Sequence, residues 1–127
     1  MRRSSLLLLI VLAFVAAACS SDASEQLEGT WYWSQWNVYI EYTDDGQVSV
    51  ANNSGLDNPS EWGEYTFDGE TLTVTNATDS TICSDTSVTW TVEFSDDGDE
   101  ASYTFVEDSC TKAHVRSQDI VWVRQSS

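Results

Sequence analysis

Basic residues, proline, methionine and histidine are all scarce in this chain. Lys and Arg number 5 against 21 Asp and Glu in 127 residues, a formal net charge of −16. Phosphate neutralisation requires a surplus of Lys and Arg, so nucleic acid is not an expected partner. One His, His114, stands in an irregular stretch with no nucleophile motif around it, and it is expected to be solvated or packed in a loop. The chain has no Gly-x-Ser-x-Gly, no phosphate loop and no zinc-type His cluster. No enzymatic activity, cofactor or metal is therefore expected. Sustained helical periodicity is missing too, and no apolar run reaches the ~20 residues that span a bilayer.

What the chain does have argues against disorder. Aromatics make up 12%, including six Trp, and β-branched residues are frequent. An acidic disordered tail would lack both, so the acidity belongs to a folded surface. The length allows one domain. From Leu27 onward the pattern is period two, as in half-buried strands. Val38, Ile40 and Tyr42 alternate with Tyr39 and Glu41, and Asp44-Asp45-Gly46 then turns the chain towards Val48 and Val50. Trp62 to Phe67 resumes after a polar loop, Asp68-Gly69 turns it, and Leu72 and Val74 follow. A second polar loop leads to the cleanest alternation, Val88, Trp90, Val92 and Phe94. The Asp96-Asp97-Gly98 turn leads to Tyr103 and Phe105, and Ile120 to Arg124 closes the series. The run Ile120-Val121-Trp122-Val123 is apolar throughout, as expected of a strand covered on both sides.

The expected fold is all-β, a small antiparallel up-and-down β-barrel of about eight strands. An open sheet of that length would leave its edges exposed. An immunoglobulin-like sandwich is the rival, but its Cys-Trp-Cys spacing is missing. Asp pairs such as Asp44-Asp45 and Asp96-Asp97 fall in turns, where Asp is favoured for its local hydrogen bonding.

The N-terminus reads as an address. Arg2 and Arg3 precede an apolar run, Leu6 to Val15, and then Ala16, Ala17, Ala18 and Cys19. This arrangement resembles the lipobox of bacterial lipoprotein signal peptides, although Ala16 stands where that family usually carries Leu. The resemblance implies removal of residues 1–18, lipidation of Cys19, and an extracytoplasmic protein held to the bacterial membrane or envelope. An ordinary cleaved secretory signal is the other reading. Residues 19–26 are small and polar and are expected to form a flexible tether, with the barrel domain over residues 27–125. Beyond residue 18 three basic residues remain, Lys112, Arg116 and Arg124, against all 21 acidic ones, a formal balance of −18.

Cys83 and Cys110 are the two cysteines left. In an oxidising compartment a disulfide is the default, and closing a loop of that length contributes roughly 3–4 kcal/mol in the chain-entropy picture. A metal site with His114 is the alternative, but two Cys and one His are few ligands for zinc.

Gly29-Thr30-Trp31 at the head of the first strand resembles the Gly-x-Trp signature of lipocalins and their calycin relatives. The order of Trp62-Gly63-Glu64-Tyr65, Cys83, Asp97-Gly98, Cys110, Arg116 and the closing Trp122-Val123-Arg124 is similar to that of small lipocalin-like domains of bacterial lipoproteins. The resemblance implies a barrel with Trp31 packed at its closed end and Arg124 covering it. It also implies an interior that takes a small apolar ligand. The candidate ligand-binding residues are Trp33, Trp62 and Trp90, and a monomer is expected. A second class of function is open to the same chain: a surface-tethered acidic module, an envelope inhibitor or scaffold, that docks on a basic partner protein.

Overall fold

The computed structural model describes residues 19–111 and 116–126. The leader segment, Lys112 and His114 lie outside the described residues. A helix, α1 (Cys19–Leu27), precedes eight strands: β1 (Gly29–Trp33), β2 (Val38–Tyr42), β3 (Gln47–Ala51), β4 (Glu61–Phe67), β5 (Thr71–Asn76), β6 (Ser87–Phe94), β7 (Glu100–Asp108) and β8 (Ile120–Arg124). Each strand pairs antiparallel with the next, and β1 pairs with β8, so the sheet closes into an eight-stranded up-and-down barrel. Closure leaves no long free edge.

Alternation builds the core directly. Trp31 and Trp33, Ile40 and Tyr42, Tyr65 and Phe67, Leu72 and Val74, Val88, Trp90 and Val92, Ala101 and Tyr103, and Ile120 and Trp122 all point inward and are buried. Thr73 and Thr89 meet on the outer face with hydroxyls 3.3 Å apart, a cross-strand pair of the kind that holds sheet faces in register. Gly63 in β4 is required by close approach. A Cβ there would lie 2.0 Å from the Thr75 carbonyl oxygen. Between β6 and β7 the register shifts: Thr89 pairs with Glu107 and Trp90 with Phe105. Val106 is the extra residue of this β-bulge and is 52% exposed.

Two expectations are corrected. Residues 19–26, read as a flexible tether, belong to α1. Leu27 at its C-terminus is fully buried in the barrel end, and Ala23 packs against the core. The helix is fixed by docking rather than by its own polar composition. Strand β8 is covered on one face only, with Val121 49% and Val123 45% exposed. Val favours a pleated backbone whether or not its side chain is buried, so an apolar run alone does not establish two covered faces.

Up-and-down topology sorts the connections between two ends. The β2–β3, β4–β5 and β6–β7 turns, α1 and the chain end after β8 lie at one end, called here the closed end. The β1–β2 connection and the longer loops β3–β4, β5–β6 and β7–β8 lie at the other, the open end.

Candidate functional site

The closed end is a plug. Gly29 opens β1 with φ of +110°, a conformation that suits a residue without Cβ. Two residues on, Trp31 is fully buried and its Nε1–H donates to the Leu27 carbonyl at 2.8 Å. Arg124, paired with Trp31 across β1 and β8, places its guanidinium 4.2 Å from the indole centroid. The same guanidinium donates to the carbonyls of Gln26, Glu28 and Gly98. Two of these acceptors lie at the C-terminus of α1, which has no basic residue of its own in its last turn. Arg124 therefore caps the helix from another strand and complements its dipole. Phe94 packs against both Trp31 and Phe67, with centroids 6.1 and 6.0 Å apart.

A tyrosine layer follows. The hydroxyls of Tyr42 and Tyr103 share a hydrogen bond of 3.0 Å, and Tyr65 donates to the Thr43 carbonyl at 2.7 Å. Burial, reinforced by Tyr103, holds the Tyr42 hydroxyl well above its ordinary pKa. Burial raises Tyr103 as well.

Beyond this layer the barrel is hollow. A cavity of about 380 Å³ is walled by Trp33, Trp90 and Trp122, by aliphatic side chains including Ile40, Val74, Val88 and Ile120, and by Trp36 and Ile82 from open-end loops. Trp36 is 47% and Ile82 42% exposed, so the cavity reaches the surface at this end. Such a volume lies at the small end of the ~300–1,000 Å³ typical of ligand sites. Trp33 contacts both Trp36 and Trp122, and Trp122 and Trp90 each contact Tyr103.

The mouth is braced by an ion-pair cluster. Arg116 makes a bidentate pair with Asp108, Nε to Oδ2 and Nη2 to Oδ1, both at 2.8 Å. It also donates to Glu61 Oε2 at 3.1 Å and to Thr86 Oγ1 at 2.9 Å. Burial alone would raise the Asp108 carboxyl, but hydrogen bonds from Arg116, the Cys110 N–H and Ser117 outweigh it and hold the group below the usual carboxylate range. Beside the cluster Cys83 and Cys110 form a disulfide, Cα atoms 5.5 Å apart, tying the β5–β6 loop to the β7–β8 loop. Among the described residues no group of three or more metal-type ligands comes together.

Of the candidate tryptophans, Trp33 and Trp90 line the cavity and Trp62 does not. Trp62 stands on the outer face, its Nε1–H donating to Asp79 Oδ1 at 2.8 Å. This is a correction: the phase of β4 puts Gly63, Tyr65 and Phe67 inward and Trp62 out. Trp36, Trp122, Arg116 and Glu61 line the cavity without having been singled out as ligand-binding residues. Trp122 carried a signal, since it shares the inward phase of Ile120. Arg116 carried another, being one of three basic residues in a strongly acidic chain.

Three buried side-chain polar atoms have no hydrogen-bond partner among the described residues: Trp90 Nε1, Trp122 Nε1 and Asn76 Oδ1. Two of the three belong to cavity walls. The third is on Asn76, whose Nδ2 donates to Glu61 and to the Ile82 carbonyl at the mouth.

Comparison with protein-family models and with curated proteins finds no match. The closed eight-stranded meander is consistent with a lipocalin-like fold.

Proposed function

We propose that this protein is a lipid-anchored, extracytoplasmic lipocalin-like carrier that holds a small apolar molecule in the open half of its barrel. The observation that carries the reading is the cavity of about 380 Å³, walled mainly by Trp, Val and Ile and reaching the surface at one end only among the described residues. A solid barrel would serve as a scaffold, whereas a hollow one with an apolar wall takes a guest. The anchor in this proposal is Cys19, which begins α1. In this reading the anchored chain leads into α1, whose Ala23 and Leu27 pack on the closed end, away from the mouth. The guest then enters from the side facing away from the membrane.

The test is native mass spectrometry of the protein purified from the envelope of an expressing cell. A discrete excess mass that organic extraction removes supports the carrier. A bare mass, together with no uptake of naphthalene or a similar apolar probe, contradicts it. An acyl mass on Cys19 in the same spectrum tests the anchor.

A second reading has its own support. The 21 acidic residues and the exposed Trp36 and Ile82 at the mouth suit docking to a basic protein. Capture of lysozyme, used as a basic probe, that weakens between low and physiological salt would favour it. Salt-independent capture would count against it.

A further inference from the structure

The cavity is marked by charge as well as by apolarity. Among the described residues that line it, Glu61 and Arg116 carry a formal charge. They differ in what they have left to offer. All three guanidinium nitrogens of Arg116 are taken, by Asp108, Thr86 and Glu61. Glu61 is engaged through one oxygen: Oε2 accepts from Arg116 Nη1 at 3.1 Å and from Asn76 Nδ2 at 3.2 Å. Its other oxygen, Oε1, accepts no hydrogen bond from the described residues and is not one of the three sealed polar atoms, and the side chain is 17% exposed. Glu61 begins β4 at the open end, where it pairs with Val50, itself a lining residue. Resting on the carrier reading above, we propose that the occupant is an apolar molecule with one ammonium group, which Glu61 holds at the mouth while the apolar body fills the cavity.

The balance of charge selects the sign. One guanidinium between the carboxylates of Glu61 and Asp108 leaves that cluster with a formal charge of −1, within a chain of −16. An anionic guest meets this surplus and finds no uncommitted cation among the described lining residues. An ammonium meets a carboxylate with an open acceptor, and a charge-assisted bond is roughly twice as strong as a neutral one. Attraction between opposite charges also tolerates a range of positions, so it does not require one fixed hydrogen-bond angle. Because Glu61 is partly exposed, the ammonium keeps part of its water at the mouth, which lessens the cost of removing a charge from solvent. A neutral guest of the same shape forgoes the attraction and gains only the burial of its apolar body.

Naphthylmethylammonium, naphthylmethanol and naphthoate share a ring frame and differ in charge. Each is titrated calorimetrically into the full chain at physiological salt, where the field of distant surface carboxylates is largely screened. The expected result is binding of the ammonium about tenfold tighter than the alcohol, with the carboxylate weakest. Glu61→Gln should keep the affinity for the alcohol and lose the preference for the ammonium. Glu93→Gln removes the same charge from the exposed face of β6 and should keep that preference. If Glu61→Gln fails to fold, the order of the three affinities in the unsubstituted protein decides the matter. Equal binding of the ammonium and the alcohol, or tightest binding of the carboxylate, overturns the cationic assignment and leaves the carrier reading standing. A preference lost equally in both variants overturns the role of Glu61. Failure of all three probes to bind overturns this inference and removes the carrier reading with it.

Discussion

The two ends of the barrel solve the same problem, covering a ring of strand ends, with opposite means. At the closed end three short turns, a docked helix and an Arg–Trp pair fill the interior, and the hydrogen bonds of Trp31 and Arg124 are met by backbone carbonyls. Positive φ there is taken by Gly29, Gly46, Gly69 and Gly98. At the open end positive φ falls on Asn37, Leu56, Asn58, Cys83 and Asp85. Asn and Asp tolerate that conformation, whereas Leu and Cys are strained in it. The orphaned polar atoms among the described residues are also those of Trp90, Trp122 and Asn76, away from the plug. One end is optimised for stability. The other carries strain and unmet hydrogen bonds, which collect where a protein acts on something else. The disulfide and the Arg116 cluster hold that less comfortable end in shape.

This contrast can be broken from either side, and the plug should yield the largest effect. Trp31→Ala removes a fully buried indole, the Arg124 contact and the bond to Leu27. The expected loss is about 4 kcal/mol in urea unfolding. At the opposite end Cys83→Ser with Cys110→Ser should cost about 3 kcal/mol, and reductant should have a comparable effect on the unsubstituted protein. Probe binding separates the two: the cysteine variant weakens it by loosening the mouth, whereas any Trp31 variant that folds keeps it.

Arg116→Met should follow at about 2 kcal/mol, since it leaves Asp108 buried without its partner while water still reaches Glu61. Acid tests the same pair. Asp108 has a folded-state pKa below its unfolded value. Its contribution is present above about pH 4 and is lost as the pH falls through the depressed folded value. Asp68 and Asp97, in closed-end turns, are also lowered, by hydrogen bonds from the Thr71 N–H and from the Ser95 hydroxyl respectively. Stability curves of the unsubstituted protein and Asp108→Asn between pH 2 and 6 distinguish the ends. The variant should lose part, and not all, of the acid dependence. The smallest effect is expected of Trp62→Phe, under about 1 kcal/mol and with unchanged probe affinity, because that ring stands outside the barrel.

Much of the plug was legible in the sequence. Trp31 and Arg124 sit on strands whose period-two pattern sets their phase, and the Gly-Thr-Trp start marks the end at which they meet. The disulfide was legible too, because an up-and-down chain returns its loops to one end after two strands. The site was legible only in part. Trp90 shares the clear phase of Val88 and Val92, but Trp62 precedes a glycine, and the inward face of β4 is declared only by Tyr65 and Phe67. Trp36 and Ile82 reach the cavity from loops, which have no period to read. Arg116 meets Glu61 across 55 residues of sequence, a contact that only closure of the barrel creates. The α1 helix failed to register for a similar reason: Leu27 buried in the barrel end fixes it, and the composition of Ser20 to Gln26 does not.

The most direct test is a single ¹H–¹⁵N spectrum of the tryptophan indoles recorded before and after adding naphthalene. The expected result is movement of the Trp33, Trp90 and Trp122 signals, with the Trp31 signal unmoved behind the tyrosine layer. No movement of any indole, or movement of Trp31 together with the others, would contradict a barrel that is sealed at one end and open to a guest at the other.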